Sequence, residues 1–325
     1  SQARLIWGYF NDFLRAEDNF LPPDNWQERP PVGLARRTSP TNIGLALCSV
    51  LSAADLGIIP PEKAHELIEN TLATVERLEK HGGHLYNWYA TDMLRPLEPR
   101  YISTVDSGNF CACLIALAAG LREYGFGATA GRAERLAAGM DFSSLLDRQR
   151  MLLRIGRSSE NPRSGCYDLL ASEARLTAYL AVARGDVPKK VWERMSRALV
   201  ASGLRRGMVS WTGTMFEYLM PDLFLPSPES SLLGETRHFC LYVQRRRTRG
   251  RPWGISESAY SALGPGLCYR YKAHGCQALA LCRGMDEELV VSPYSSFLAL
   301  GTEPAAAAAN LRELEKLGAV GRYGF

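Results

Sequence analysis

No CxxC pair occurs among the eight cysteines, and no histidine stands near a cysteine at zinc-finger spacing. The usual structural zinc sites are therefore excluded. The five histidines, His65, His81, His84, His238 and His274, share no ligand spacing either, so no metal is expected. Strand text is almost missing: Val, Ile and Thr do not alternate with polar residues over any useful length. No run of about 18 apolar residues stands out as a membrane span, and no signal peptide opens the chain. One-sided charge is lacking too, since 38 Lys and Arg face 34 Asp and Glu, a net of +4. The dense basic run RRRTRGR, Arg245 to Arg251, reads better as a solvated helix end than as a phosphate site. Nucleic acid is not an expected partner. Linkers rich in Ser, Gly or Pro are absent, as are solenoid repeats, and low complexity is confined to AAAAAN, Ala305 to Asn310. One domain over residues 1–325 is the expectation. The chain opens on Ser and stops after GRYGF, which reads as a segment of something longer.

What is present is helical text. With 46% hydrophobic residues in 325, a sizeable core can be buried. PPEKAHELIENTLATVERLEKHGG opens on prolines and closes on Gly82-Gly83, the usual helix punctuation. Ala64, Leu67, Ile68, Leu72, Val75 and Leu78 form one apolar stripe on it, the mark of a helix packed on one side. TNIGLALCSVLSAADLG, VDSGNFCACLIALAAGLREYG and YDLLASEARLTAYLAVARG are apolar or small around most of the helix and predict buried helices. Several cysteines lie in such text and behave as small hydrophobes, read as reduced thiols in a cytoplasmic compartment. One-sided candidates such as AGRAERLAAGMDFSSLLDRQR and PKKVWERMSRALV fall between them. Alternating buried and half-exposed helices suggest an inner ring wrapped by an outer one.

The non-helical text is long and rich in aromatics, amides and carboxylates: LPPDNWQERPPVGLARRTSPTN, GGHLYNWYATDMLRPLEPRYISTVDSGN and SWTGTMFEYLMPDLFLPSP. Long loops are functional or disordered, and disordered segments are poor in aromatics. Four carboxylates stand out. Glu173 shares a predicted helical face with Leu169, Leu176 and Leu180, so it is paired, protonated or facing a cavity. Arg175 or Arg37 would be its partner in the plainer reading. Glu257 lies between Trp253 and Tyr260, which are either cleft wall or ordinary core. Asp106 reads as a first-turn acid or a ligand group, and Glu217 could satisfy buried backbone donors. Paired carboxylates beside aromatic platforms suit glycosidic-bond chemistry. Asn25, Trp26, Gln27, Asn87, Trp88 and Tyr89 supply the amides and rings that sugars call for.

LPPDNWQERPP, RTSPTNIGL, GHLYNWY, PRYISTVDSGN, YDLLASEAR, WTGTMFEYLMP, RPWGISESAY and VVSPYSSFLAL, in this order, resemble the glycoamylase-like domain of cyclic β-1,2-glucan synthases. The resemblance runs from about Trp7 to Phe325. It implies an all-α (α/α)6 barrel with long active-site loops, and a transglycosylase of the glycoside hydrolase class. Such an enzyme cuts a linear β-1,2-glucan chain and joins the new end to that chain's other end, without a cofactor. By the same resemblance Glu257 in GISES is the nucleophile and Glu173 in ASEAR the acid/base. Asp106, Glu217, Trp88, Tyr89, Asn87, His84, Arg37, Asn42, Asn25, Gln27, Tyr167, Asp168, Trp211, Trp253, Tyr260 and Tyr269 are the supporting or substrate-binding candidates. His84 has a plainer alternative as a satisfied structural histidine. It further implies covalent linkage to glycosyltransferase and phosphorylase-like domains. The location implied is the cytoplasmic side, within a larger inner-membrane protein that this segment does not itself anchor. YRYKAHGCQALALCRGM, Tyr269 to Met285, departs from the family's YQYKAFGVPGLGLKRGL, which puts chain-length preference in doubt. Relatives continue past Phe325, where a closing helix of the barrel is expected.

Retention needs carboxyl groups roughly 5–5.5 Å apart and inversion roughly 6.5–9.5 Å. Preference for a sugar over water as acceptor needs a dry aromatic site, for which Trp7, Trp88 and Trp253 are candidates. The rival readings are a β-1,2-glucan hydrolase on the same fold, a glucan-binding module without chemistry, and a helical scaffold.

Overall fold

Serine and proline fix where the longer helices start. After α1 (Gln2–Phe13), Ser39 caps α2 (Pro40–Asp55) by accepting from the Asn42 N–H, with Pro40 at its first position. Pro61 opens α3 (Pro61–Arg77), and Ser103 caps α4 (Thr104–Glu123) through the Asp106 N–H. Helices α5 (Gly127–Ala138), α6 (Ala174–Ala183) and the short α7 (Lys190–Arg194) follow. Then come α8 (Met215–Leu219), α9 (Leu232–Thr248), α10 (Pro293–Leu298) and α11 (Pro304–Lys316). The computed structural model describes residues 1–158 and 164–325. Its backbone divides into two compact units, one of Ser1–Cys166, Leu176–Val191 and Gly324, the other of Tyr167–Arg175, Trp192–Tyr323 and Phe325.

In the first unit α4 is the central helix, packed against α2 and α5. All six residues of the α3 stripe are buried, and Ile68, Leu72 and Val75 are wholly inaccessible. Each such side chain contributes about 1.5–3 kcal/mol on leaving water. Helix α4 has the length and mean hydropathy of a membrane span, contrary to the sequence expectation, yet 72% of that window is buried inside the protein. Close approach explains its small residues. A Cβ on Gly44 would lie 2.9 Å from Cys113 Cβ, and one on Gly108 would lie 1.9 Å from Thr177 Oγ1. No disulfide links the eight thiols.

In the second unit α8 packs on α9 and on α10, and α10 on α11. The basic run ends α9: Arg245 pairs with Glu303 and Arg247 with Asp286, and Arg249 closes the helix in the left-handed region. Here the structure corrects several expectations. Strands are more frequent than the composition suggested. The longest pair is an antiparallel hairpin of Glu257–Leu263 and Tyr269–Ala273, with a bulge between Tyr260 and Leu263. Leu199–Ser202 pairs with Arg205–Met208, so the closing LV of PKKVWERMSRALV is strand and only Lys190–Arg194 is helix. WTGTMFEYLMP, expected as loop, contains α8.

The segment Tyr167–Glu173 is not helical. Ser196 N–H donates to Asp168 O at 2.6 Å and Leu170 N–H to Ser196 O at 2.9 Å, holding this backbone in strand-like pairing. Backbone groups satisfied that way are not available to a helix. The predicted face joining Leu169 to Glu173 therefore does not exist; Glu173 stands one residue ahead of α6.

Candidate functional site

Two of the nominated carboxylates, Glu257 and Glu173, lie in the second unit within electrostatic reach of the same two phenols. Glu257 is the first residue of its strand, and the extended backbone there is set by α9. Buried Gln244 donates to Ile255 O at 2.9 Å and accepts from Ile255 N–H at 2.8 Å, so its amide acts as a neighbouring strand would. On the facing strand Tyr271 lies opposite Ala259, the side of the pleat that Glu257 also uses. Its hydroxyl donates to Glu257 Oε2. From α10, Tyr294 O–H reaches Glu257 O and Ser256 Oγ, each at 2.9 Å, and Ser292 Oγ donates to Glu257 O at 3.3 Å. Both phenols are held above the ordinary tyrosine range. Burial of the hydroxyl comes first in each, and the charges of Glu257 and Glu173 add to it. The two carboxylates thus act on the same pair of phenols. Both are half-buried, not buried as the sequence suggested.

The two arginines that the plainer reading offered to Glu173 have other carboxylate partners. Arg175 is 1% exposed and turned to Asp222 Oδ2 (2.5 Å), Tyr218 O (2.8 Å) and Glu217 O (3.0 Å). Arg37 binds Asp24 at 2.9 Å.

Tyr271 and Tyr294 were missed in the sequence. Tyr269 was nominated instead, but it pairs with Leu263 beyond the bulge. The signal was the two-residue repeat in YRYKA, unreadable while no strand was expected. Tyr294 stood in plain view in VVSPYSSF.

Other nominations in this unit are reassigned. Glu217 closes a capping box with Thr214 and also accepts from Ser210 Oγ (2.9 Å), Thr212 Oγ1 (2.6 Å) and the Trp211 and Thr212 N–H groups. Its lone pairs are spent on the turn before α8, so it is a structural carboxylate. Trp253 is 6% exposed, exchanges backbone hydrogen bonds with Asn310 (3.0 and 2.7 Å) and lies under Arg245; it is core, not cleft wall. Trp211 stays 40% exposed and donates from Nε1 to Asp168 at 2.9 Å. Tyr260 is half-buried, edge-on to His274, and Tyr167 is half-buried before the strand-like segment. An open hollow lined by Leu204, Arg205, Arg206, Glu235, His238 and Phe239 contains none of the nominated residues.

The first unit gathers a second polar group. Asp106, in the first turn of α4, accepts from Thr41 Oγ1 at 2.6 Å. With the Asn87 amide oriented to satisfy both neighbours, it donates to Asp106 Oδ2 (3.1 Å) and accepts from Trp88 Nε1 (3.0 Å). The Arg37 guanidinium lies 4.6 Å over the half-buried Trp88 ring, and Asp24 also accepts from Asn42 (3.3 Å) and Asn25 (3.0 Å). Gln27 spends its amide on Pro30 O at 3.1 Å, shaping its own loop. Tyr89 is 0% exposed, with its hydroxyl between Glu79 O and the Tyr86 N–H, and offers no ring to a ligand. Trp7 is likewise buried, stacked on Phe10.

His84 is structural as well, buried with Nε2 at 2.8 Å from Asp141 O. Burial outweighs the Asp141 contact and lowers its pKa, with Arg184 and His81 adding to the depression. A histidine depressed in the folded state stabilises fully above its unfolded pKa of about 6.5, and that stability is lost as pH falls. Urea unfolding of His84→Asn should therefore show a shallower loss of stability between about pH 7 and pH 5 than the parent. Parallel curves would exclude the histidine. Among the described residues no group of three or more His, Cys, Asp or Glu could hold a metal.

No family model matches the chain. By sequence it is similar to cyclic beta-(1,2)-glucan synthase NdvB of Rhizobium meliloti (strain 1021), 34% identical over 454 residues, covering 99% of this chain and 16% of the synthase. By structure it is similar to a glucoamylase-type protein of Bacteroides fragilis NCTC 9343, with TM-score 0.79, 18% identity, and coverage of 100% of this chain and 82% of that one. It is also similar to an endo-beta-1,2-glucanase of Chitinophaga pinensis in complex with sophorotriose and glucose (TM-score 0.77, 15% identity, 100% and 83% coverage). At these identities the structures speak for the fold alone. The resemblance read from eight ordered motifs holds, and the chain is a relative of one segment of the cyclic β-(1,2)-glucan synthases, on the fold of glucoamylase-like proteins and endo-β-1,2-glucanases.

Proposed function

We propose that this chain is a glycoside hydrolase-class transglycosylase that cuts linear β-1,2-glucan and closes it into rings. The observation that carries the reading is the gathering of Glu173 and Glu257 about the phenols of Tyr271 and Tyr294. Glu257 attacks the anomeric carbon while the Glu173 proton passes to the departing glucosyl oxygen, leaving a glucosyl ester on Glu257. Glu173, now a carboxylate, takes the proton of an incoming sugar hydroxyl. The hydroxyl oxygen bonds to the anomeric carbon and Glu257 leaves as a carboxylate, so configuration is retained. The related synthase, named for a cyclic glucan, supports ring closure; the structural neighbour named as a glucanase supports simple hydrolysis as the second reading.

In this reading the half-buried Trp88, with Arg37, Asn87, Asn42, Asn25 and Asp106, is glucan-binding, as are Trp211 with Asp168, and Tyr167, Tyr260 and Tyr269. The helices are those of an (α/α)6 barrel in a single domain. The chain spans about a sixth of its curated relative, and linkage to glycosyltransferase and phosphorylase-like domains on the cytoplasmic side of an inner-membrane protein is part of the same proposal. Mass spectrometry of products from linear β-1,2-glucan tests it. Ring closure predicts products one water lighter than linear chains and no gain in reducing ends. Shorter linear products with new reducing ends would establish the hydrolase, and unchanged substrate the binding module.

A further inference from the structure

We propose that Tyr271 is a positioning residue for Glu257, gripping one carboxylate oxygen so that the other is presented to the anomeric carbon. The inference rests on the reading of Glu257 as nucleophile. Three observations carry it. The phenol donates directly to Glu257 Oε2. The hairpin register puts both side chains on one side of the pleat, so the bond follows from strand pairing and not from a flexible reach. The main chain of Glu257 is fixed separately, by Tyr294 and Ser292 on its carbonyl at 2.9 and 3.3 Å. The backbone is held from α10 and the carboxylate from the facing strand, which leaves the side chain little freedom to rotate.

The bond has a role in each half of the reaction. In the free enzyme it orders a carboxylate that would otherwise sample several rotamers. In the glucosyl ester Oε2 becomes the carbonyl oxygen, and the same phenol still donates to it. When the anomeric C–O bond breaks, negative charge returns to the carboxylate, and the hydrogen bond strengthens as it does so. No proton leaves the phenol. Burial of the hydroxyl, then the Glu257 charge, keeps Tyr271 protonated far above neutral pH, so it remains a donor throughout. Titratable groups near Glu257 include Tyr271 on the facing strand, Tyr294 on α10 and Glu173 ahead of α6.

The test uses Tyr271→Phe. Tyr271 as a whole residue is 67% exposed, so losing one hydroxyl leaves the packing in place. The measurement is kcat and KM on linear β-1,2-glucan as a function of pH, for the parent, Tyr271→Phe and Glu257→Gln. Expected is a fall in kcat of roughly 10–100-fold, by analogy with the loss of a hydrogen-bond partner that orients a metal-ligating side chain, with KM little changed. The acidic limb of the profile should move to higher pH, because a carboxylate that loses a donor is easier to protonate. A Tyr271→Phe profile superimposed on the parent's, beside an inactive Glu257→Gln, overturns this inference and leaves the nucleophile assignment standing. An active Glu257→Gln overturns the assignment itself.

Discussion

Glu257→Gln is expected to abolish turnover of linear β-1,2-glucan, and Glu173→Gln to reduce it by about 10²–10⁴-fold, the usual span for removing a general acid or base. The loss at Glu257 should be at least as large, since an amide cannot form the glucosyl ester. The substitution is nearly isosteric, and its amide oxygen can still accept from the Tyr271 hydroxyl, so the hairpin pairing of Glu257 with Ala273 should survive. Azide separates the two roles in the truncated variants Glu257→Ala and Glu173→Ala. A small anion entering the space of a missing nucleophile gives a glucosyl azide of inverted configuration, whereas with the acid/base missing it intercepts the ester and gives the retained one. Mass and NMR spectra of the azide adducts read this directly. Equal turnover by both variants and the parent would mean that neither carboxylate carries the chemistry.

Arg175→Met is expected to cost about 3–5 kcal/mol of stability, seen as a lower urea midpoint. Burial lowers the Arg175 pKa, Asp222 opposes that, and the guanidinium spans Asp222 and the carbonyls of Glu217 and Tyr218 at the end of α8. Removing it leaves Asp222 with Arg237 at 3.7 Å and strands two carbonyls. A compensating Asp222→Leu should recover part of the loss, because an apolar pair replaces an uncompensated charge. A midpoint unmoved in the single variant would show the ion pair to be dispensable. Glu173 stands two residues before Arg175, so this variant should also lower turnover more than its stability alone explains.

What was legible in the sequence follows from how local each signal is. The α3 stripe and the apolar α4 could be read because burial repeats every three to four residues within one element. Glu173 and Glu257 could be named because their motifs are intact, though not that they face a common pair of phenols. Glu217 could be read as a partner of buried backbone donors, yet it was ranked with the substrate-binding candidates although Thr214-Met-Phe-Glu217 carries the T-x-x-E pattern of a capping box. The neighbouring aromatics drew attention to a ligand where the backbone was the true partner. Tyr271 and the strand-like Tyr167–Glu173 were hidden for another reason. Both depend on pairing with residues distant in the chain, Glu257 in one case and Ser196 in the other, and composition does not report such pairing.

The anchoring of Ile255 by the Gln244 amide has a mechanical consequence. A ribbon clamped at its root and open to solvent along most of its length behaves as a cantilever. Replacements near Leu263, Leu267 or Tyr269 can alter which saccharide units lodge against it while the carboxylate at the fixed end keeps its aim. Under the proposed function, ring size and bond cleavage are then separable traits, and descendants of this scaffold can drift in one without forfeiting the other.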